Sequence, residues 1–253
     1  MLLPKSRYAI VTLYIGEKYR SIADITLPIM KEYASKIGAD LIEITENRLN
    51  KGMGHYEKLQ IYNLFDSYER IAFLDVDVLI TPVCPNLFSE VPEEYFAAFD
   101  VSKYSKVHDN AIFLIQEKLG YIDWKDTYFN SGVMVASRAH RDIFNPNDGL
   151  LNIWSKFSCK EGDGTYLDQT FINYNVNRMK IPFLDLGYKF NHTTAPKNSH
   201  LRFKSFIIHY PGKGHRKGTK IQQLKKDKSI IQNLFLYKTT SSLSWINVLF
   251  DNI

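Results

Sequence analysis

Arg70-Ile71-Ala72-Phe73-Leu74-Asp75-Val76-Asp77-Val78-Leu79-Ile80 is the stretch whose reading decides the fold. Ile71 to Leu74 form a short apolar run of the kind found in strands buried on both faces, and it stops at two carboxylates. In extended backbone, residues two apart point to the same side. Asp75 and Asp77 can therefore face one point in space, where a cation relieves their repulsion. Oxygen-rich pairs of this kind suit Mg²⁺ or Mn²⁺ better than zinc. Asp-x-Asp also recurs at ordinary strand ends that lead into a turn, so the rest of the chain has to decide.

Upstream, Tyr8 to Tyr14 is a continuous β-prone run and reads as a first buried strand. Ile22, Ile25, Ile29, Tyr33 and Ile37 then fall at helical spacing up to Gly38, with a kink or restart expected at Pro28. Asp40 to Ile44 reads as a second strand, and Thr45 to His55 as a loop. Leu59, Tyr62, Phe65 and Tyr68 recur in three-residue steps and predict a helix over 56–68. Strand, helix, strand, helix and strand are thus complete by residue 80, the pattern of an α/β domain built on a mainly parallel sheet. Ligands of such sheets sit at the carboxyl ends of the strands, where Asp75 and Asp77 lie.

Downstream, Tyr95 to Phe99 predicts a strand ending in Asp100, residues 101–126 an excursion with weak periodicity, and Phe129 to Ala136 a strand entered through Asn130 and Ser131. Leu167 to Tyr174 starts a helix with Asp168 near its positive end. Ile181 to Leu186 and Phe206 to Tyr210 read as the last strands. His209 is followed by Pro211-Gly212-Lys213-Gly214-His215-Arg216-Lys217, a glycine-bearing basic loop suited to phosphate oxygens. It lacks the order of a P-loop, and no Gly-x-Gly-x-x-Gly follows the first strand, so neither P-loop ATP cleavage nor a dinucleotide site is supported.

The 253 residues are 45% hydrophobic, enough for a substantial core, and contain no apolar run of the ~18 residues a membrane span requires. The start carries no signal-peptide pattern and Cys84 and Cys159 make no disulfide framework, so a cytoplasmic, reducing setting is expected. From Lys197 onward there are 11 Lys/Arg against 2 Asp/Glu, whereas residues 1–196 carry 21 against 25. Such a basic end suits phosphates or acidic lipid; no helix-turn-helix, zinc-finger or RNP-like pattern directs it to nucleic acid.

Taken in order, Lys58, Asp75-Val76-Asp77, Phe129-Asn130-Ser131-Gly132, Asp168-Gln169 and His209-x-x-Gly212 resemble the motifs of GT-A-fold glycosyltransferases. The nearest resemblance is to family 8, which includes glycogenin and the bacterial lipopolysaccharide galactosyl- and glucosyltransferases. It spans roughly residues 7–218. The resemblance implies a Rossmann-like GT-A domain over 1–219 and Mn²⁺, with Mg²⁺ as the alternative, held by Asp75, Asp77 and His209. It also implies a UDP-sugar donor, UDP-glucose or UDP-galactose, and a glycan, lipid-glycan or protein acceptor, with retention at the anomeric carbon. Asp75 would also reach the nucleoside; Leu13 and Tyr14 would hold the uracil. Lys58, Asp100, Asn130 and Ser131 would surround the donor sugar, and Asp168 and Gln169 would lie beside the anomeric carbon. The family's last loop usually reads His-x-x-Gly-x-x-Lys. Here His215 stands in the Lys position, so Gly212 with Lys213, Lys217 or His215 itself is left to meet the diphosphate. The long excursion 101–126 is expected to shape the acceptor site.

Three other readings compete. One is a GDP-mannose-using transferase of the same fold. A nucleotidyltransferase is disfavoured because no glycine-rich loop follows Tyr14, and a catalytically silent nucleotide-sugar-binding module is kept open by His215. Residues 220–253 form a basic amphipathic extension, read as two segments. Their apolar positions, including Ile221, Leu224, Ile231, Phe235, Trp245, Val248, Leu249 and Phe250, would either pack on the domain or lie on an anionic membrane.

Overall fold

A computed structural model describes residues 6–124 and 127–240 of the chain. The central sheet is built from β1 (Tyr8–Leu13), β2 (Asp40–Ile44), β3 (Arg70–Leu74), β5 (Phe96–Asp100), β6 (Phe129–Ser137) and β7 (Phe183–Asp185), in the spatial order β2-β1-β3-β6-β5-β7. Five strands run parallel and β6 runs against its neighbours β3 and β5. Two-residue alternation divides the buried side chains between two cores. Ala9, Val11, Ile71, Phe73, Met134 and Ala136 face one side, while Ile10, Ala72, Leu74, Val133 and Val135 face the other. This is why the strands read as unbroken apolar runs.

The first core is covered by α5 (Gly149–Glu161) and α6 (Leu167–Arg178) through Leu151, Trp154 and Phe171; the second is covered by α1 (Glu17–Lys36) and the short α3 (Leu87–Glu90) through Met30, Tyr33 and Phe88. A separate two-stranded sheet pairs β4 (Val78–Ile80) antiparallel with β8 (Ile207–His209). Phe206 to Tyr210 is thus a strand as expected, but outside the central sheet. A third core of Tyr14, Ile22, Val76, Leu79, Ile208 and Leu224 joins this small sheet to α1 and to α7 (Lys220–Thr240).

Several local expectations change. The α1 helix runs through Pro28 without a break, because Pro28 is exposed and water can take up the carbonyl it frees. The helix expected over 56–68 is a 3-10 helix over Gly54–Gln60 followed by one α turn, α2 (Ile61–Leu64). Of the four apolar residues in three-residue steps, Leu59 lies in the 3-10 helix, Tyr62 in the α turn, and Phe65 and Tyr68 beyond it. The excursion contains a helix, α4 (Asp109–Leu119). α7 is one continuous helix, and its apolar residues Leu224 and Ile231 are buried in the third core. The helix therefore packs on the domain through these two residues, while Leu234 is exposed. Trp245, Val248, Leu249 and Phe250 lie outside the described residues. Among the described residues no helix is long and apolar enough to cross a membrane.

Candidate active site

The turn Asp75-Val76-Asp77 bridges the two sheets, since β3 ends at Leu74 and β4 begins at Val78. Asp75 N donates to Gly132 O at 2.7 Å, and Val76, between the carboxylates, is pinned by its side chain in the third core and by Thr26 Oγ1 on its carbonyl at 2.7 Å. The register of β4 on β8 sets Val78 opposite His209, and Tyr210 N donates to Asp77 O. Asp75, Asp77 and His209 thereby converge, with ligating atoms all within 4.8 Å of one another. His209 Nε2 lies 3.2 Å from Asp77 and 3.5 Å from Asp75.

The donor set fits a divalent cation. His209 Nδ1 donates to Asn191 Oδ1 at 2.8 Å, which fixes the ring orientation and the tautomer that leaves Nε2 free to ligate. Burial by itself would raise the Asp77 carboxyl, but His209 and Lys220 outweigh it and hold it well below the usual carboxylate range. Gly132 leaves the room: a Cβ there would come within 2.2 Å of His209 Cε1 and 2.8 Å of Asp75 Oδ2. Two carboxylates and one imidazole form a mostly hard set, matched to Mn²⁺ or Mg²⁺.

From this group a polar network runs to the other expected residues. Lys58, almost fully buried on the 3-10 helix, places Nζ 3.4 Å from Asp75, 3.0 Å from Asp168 and 3.0 Å from Ser131 Oγ. Burial alone would lower its pKa, yet Asp168 and Asp75 raise it, so the ammonium stays charged. Gln169 Oε1 accepts from Asn130 Nδ2 and Ser131 N; Asn130 Oδ1 accepts in turn from Asn191 Nδ2, closing the path back to His209. Asp168 and Gln169 stand in the first turn of α6, entered through left-handed backbone at Tyr166 (φ 51°) and Leu167 (φ 44°). Two consecutive non-glycine residues there store on the order of 1–3 kcal/mol each, strain tolerated to aim that turn at the network. Asp100 ends β5 beside β6, its Oδ1 engaged by Ser102 N, Ser102 Oγ and Tyr128 N.

The remaining expected residues lie differently. Tyr14 is buried in the third core, and burial with its bond to Glu43 pushes its pKa up to about 12; Leu13 is half-buried beside it. In the basic loop, Gly212 (φ 56°) and Gly214 (φ 72°) take left-handed conformations, but the backbone is wrapped around Gln223 of α7. Gln223 Oε1 accepts from His215 N, and its Nε2 donates to Lys213 O. His215 is turned inward. Its Nε2 donates to His209 O at 2.8 Å, its Nδ1 meets Ser199 Oγ at 3.0 Å, and burial lowers its pKa, so it is a neutral brace with no nitrogen left for phosphate. Lys213 and Lys217 are exposed.

From the basic end of the chain it is Lys220 that reaches the group, its Nζ 2.5 Å from Asp77 Oδ2. It heads α7, and a cavity of about 270 Å³ lined by Lys18, Tyr19, Gly212 and Thr219 adjoins it. Its signal in the sequence was Thr219-x-x-Gln222, a capping box that starts a helix at Lys220; in the structure Gln222 N donates to Thr219 Oγ1 and Thr219 N to Gln222 Oε1. Asn191, the residue that orients His209, carries no such signal.

Residues 15–217 match the family model described as glycosyl transferase family 8. No curated protein matches the chain in sequence. Among solved structures, a glycosyltransferase involved in glycosylation of the major capsid of PBCV-1 is 15% identical, with a TM-score of 0.58 over 87% of this chain and 98% of that one. The galactosyltransferase LgtC, solved with donor and acceptor sugar analogs, is 12% identical, with a TM-score of 0.50 over 94% and 98%. GlyE of Streptococcus pneumoniae TIGR4 is 16% identical, with a TM-score of 0.51 over 92% and 65%. Those likenesses establish the GT-A architecture, and with the family match over most of its length the chain belongs to glycosyl transferase family 8.

Proposed function

We propose that this chain is a Mn²⁺-dependent hexosyltransferase that moves glucose or galactose from a UDP-sugar to a glycan, lipid-glycan or protein acceptor with retention of anomeric configuration. The observation that carries the reading is the single network joining Asp75, Asp77 and His209, through Lys58, to Asp168 and Gln169. A divalent cation held by the first three would neutralise charge on the departing diphosphate. Lys220 is the protein cation best placed for the same oxygens, taking over the part that Lys213, Lys217 and His215 were expected to play. The cavity beside it would receive the nucleoside half of the donor. On the sugar side, Asp168, 3.0 Å from Lys58 Nζ, would face positive charge developing at the anomeric carbon. Gln169, tied to Asn130 and Ser131, would fix the hexose. Structural kinship with a galactosyltransferase supports a hexose donor.

GDP-mannose remains the rival donor. A silent binding module is disfavoured on this reading, because Lys220 would supply the cation that His215 does not.

A thermal-shift panel of UDP-glucose, UDP-galactose and GDP-mannose, with Mn²⁺ or EDTA, separates these readings. A UDP-hexose at ~100 times its dissociation constant should stabilise by about 2.7 kcal/mol with Mn²⁺ and lose that gain in EDTA. Stabilisation by GDP-mannose alone would overturn the donor assignment, and no metal-dependent stabilisation by any of the three would overturn the transferase reading.

A further inference from the structure

Each carboxylate of the candidate metal site is divided between two partners. Asp75 turns Oδ2 toward His209 Nε2 at 3.5 Å and Oδ1 toward Lys58 Nζ at 3.4 Å. Asp77 turns Oδ1 toward the same imidazole at 3.2 Å and Oδ2 toward Lys220 Nζ at 2.5 Å. A divalent cation on the imidazole side therefore meets two carboxylates that each carry an ammonium already. A neighbouring ammonium weakens a carboxylate's pull on a second cation, and the effect grows as water is excluded.

The two lysines differ in freedom. The Lys58 side chain is 4% exposed and is held by Asp168, Ser131 O and Ser131 Oγ as well as by Asp75, which locks it in place. The Lys220 side chain is 23% exposed, and among the described residues its Nζ has Asp77 alone as a hydrogen-bond partner. Its Cα is fixed at the start of α7 by the box between Thr219 and Gln222, and the residue lines the cavity of about 270 Å³ together with Lys18, Tyr19, Gly212 and Thr219. A flexible four-carbon stem on a fixed backbone lets the ammonium swing from Asp77 toward that cavity.

A diphosphate favours the swing. Its anionic oxygens accept a charge-assisted hydrogen bond as good as the one from Lys220 to Asp77 Oδ2, so the ammonium loses no partner in the exchange. Asp77 then turns its whole charge on the metal, and the metal takes the same diphosphate. A nucleoside without phosphates offers no such exchange. We infer that Lys220 competes with the divalent cation for Asp77 until a diphosphate draws it off, so that metal and donor raise each other's affinity through this one side chain. The inference rests on the transferase reading above and locates the coupling between its two ligands.

Mn²⁺ affinity of the full chain, read from the free-ion electron paramagnetic resonance signal without ligand, with uridine and with UDP, tests it. Lys220→Met keeps the length of the stem and removes the charge; Lys220→Gln replaces it if that variant does not fold by circular dichroism. The folded variant should bind Mn²⁺ alone more than about twofold tighter than wild type, while the gain in Mn²⁺ affinity on adding UDP should shrink about fivefold or more. Uridine should give neither chain a gain. A side chain that merely orients Asp77 predicts the opposite sign for Mn²⁺ alone. Mn²⁺ affinity in the variant that is within twofold of wild type, weaker or undetectable would overturn the inference, as would a UDP gain that shrinks less than fivefold or a uridine gain equal to that of UDP. Such a failure with UDP-dependent uptake intact in the wild type leaves the donor reading standing. Absence of UDP-dependent uptake in the wild type overturns the donor reading itself, and the ligand-free comparison of the two chains still decides whether Lys220 competes for Asp77.

Discussion

At the scale of single residues, chemistry is concentrated where polar side chains are buried but satisfied. Lys58 would be expensive in a core without Asp75 and Asp168, and Asn130, Asn191 and Gln169 each meet partners that orient another group. Asn191 has the sharpest consequence, because its amide oxygen alone fixes which nitrogen of His209 faces the carboxylates. Asn191→Ala should weaken Mn²⁺ binding in the presence of UDP by about 10–100-fold with little loss of fold, as loss of a metal-ligand partner typically does. Isothermal titration checks this, and unchanged affinity would remove Asn191 from the site. Asp75 and Asp77 stood out in the sequence as carboxylates ending an apolar strand, whereas His209 joined them only through the resemblance to family 8; the structure brings the three together. Asn191 was not readable, since an asparagine after Phe190 is marked by no period or cap and its role exists only once β8 lies beside it.

Elements position these residues through register and caps. Pairing Val78 with His209 is enough to bring His209 beside Asp77 although the two lie 132 residues apart in the chain, 209 − 77. The strands were legible from their apolar runs, but the pairing of β4 with β8 outside the main sheet was not, because apolar runs specify burial and not partners. The same limit explains α4, whose moderate amphipathicity is blurred by the exposed Phe113 and by aromatic neighbours. α7 is anchored by Asp227, fully buried, which takes Arg202 at 2.7 Å, the Tyr210 hydroxyl at 2.7 Å and Arg216. That anchor holds Lys220 against Asp77. Asp227→Ala strands two arginines and should cost about 3–5 kcal/mol in urea unfolding. A loss under 1 kcal/mol would show that α7 is held by its apolar face alone.

For the molecule as a whole, the buried histidines set the pH range of stability. Burial lowers His108 and His192 to about 4, below the ~6.5 of an unfolded chain, so between these values the unfolded state binds more protons than the native one. Stability should be full above about pH 6.5 and fall as the pH drops toward 4, by up to about 1.4 kcal/mol per pH unit for each histidine. Urea midpoints measured from pH 7 to 5 check the sign, and His108→Phe should flatten the slope; a midpoint that rises on acidification would contradict it. The central claim is that Asp75, Asp77 and His209 hold the metal that meets the donor diphosphate. Electron paramagnetic resonance of Mn²⁺ titrated with the chain, with and without UDP, tests it most directly. Wild type should remove one equivalent of the free-ion signal in a UDP-dependent manner, and Asp77→Asn, folded by circular dichroism, should remove none at the same concentrations. Equal uptake by wild type and Asp77→Asn would place the metal elsewhere and contradict the account.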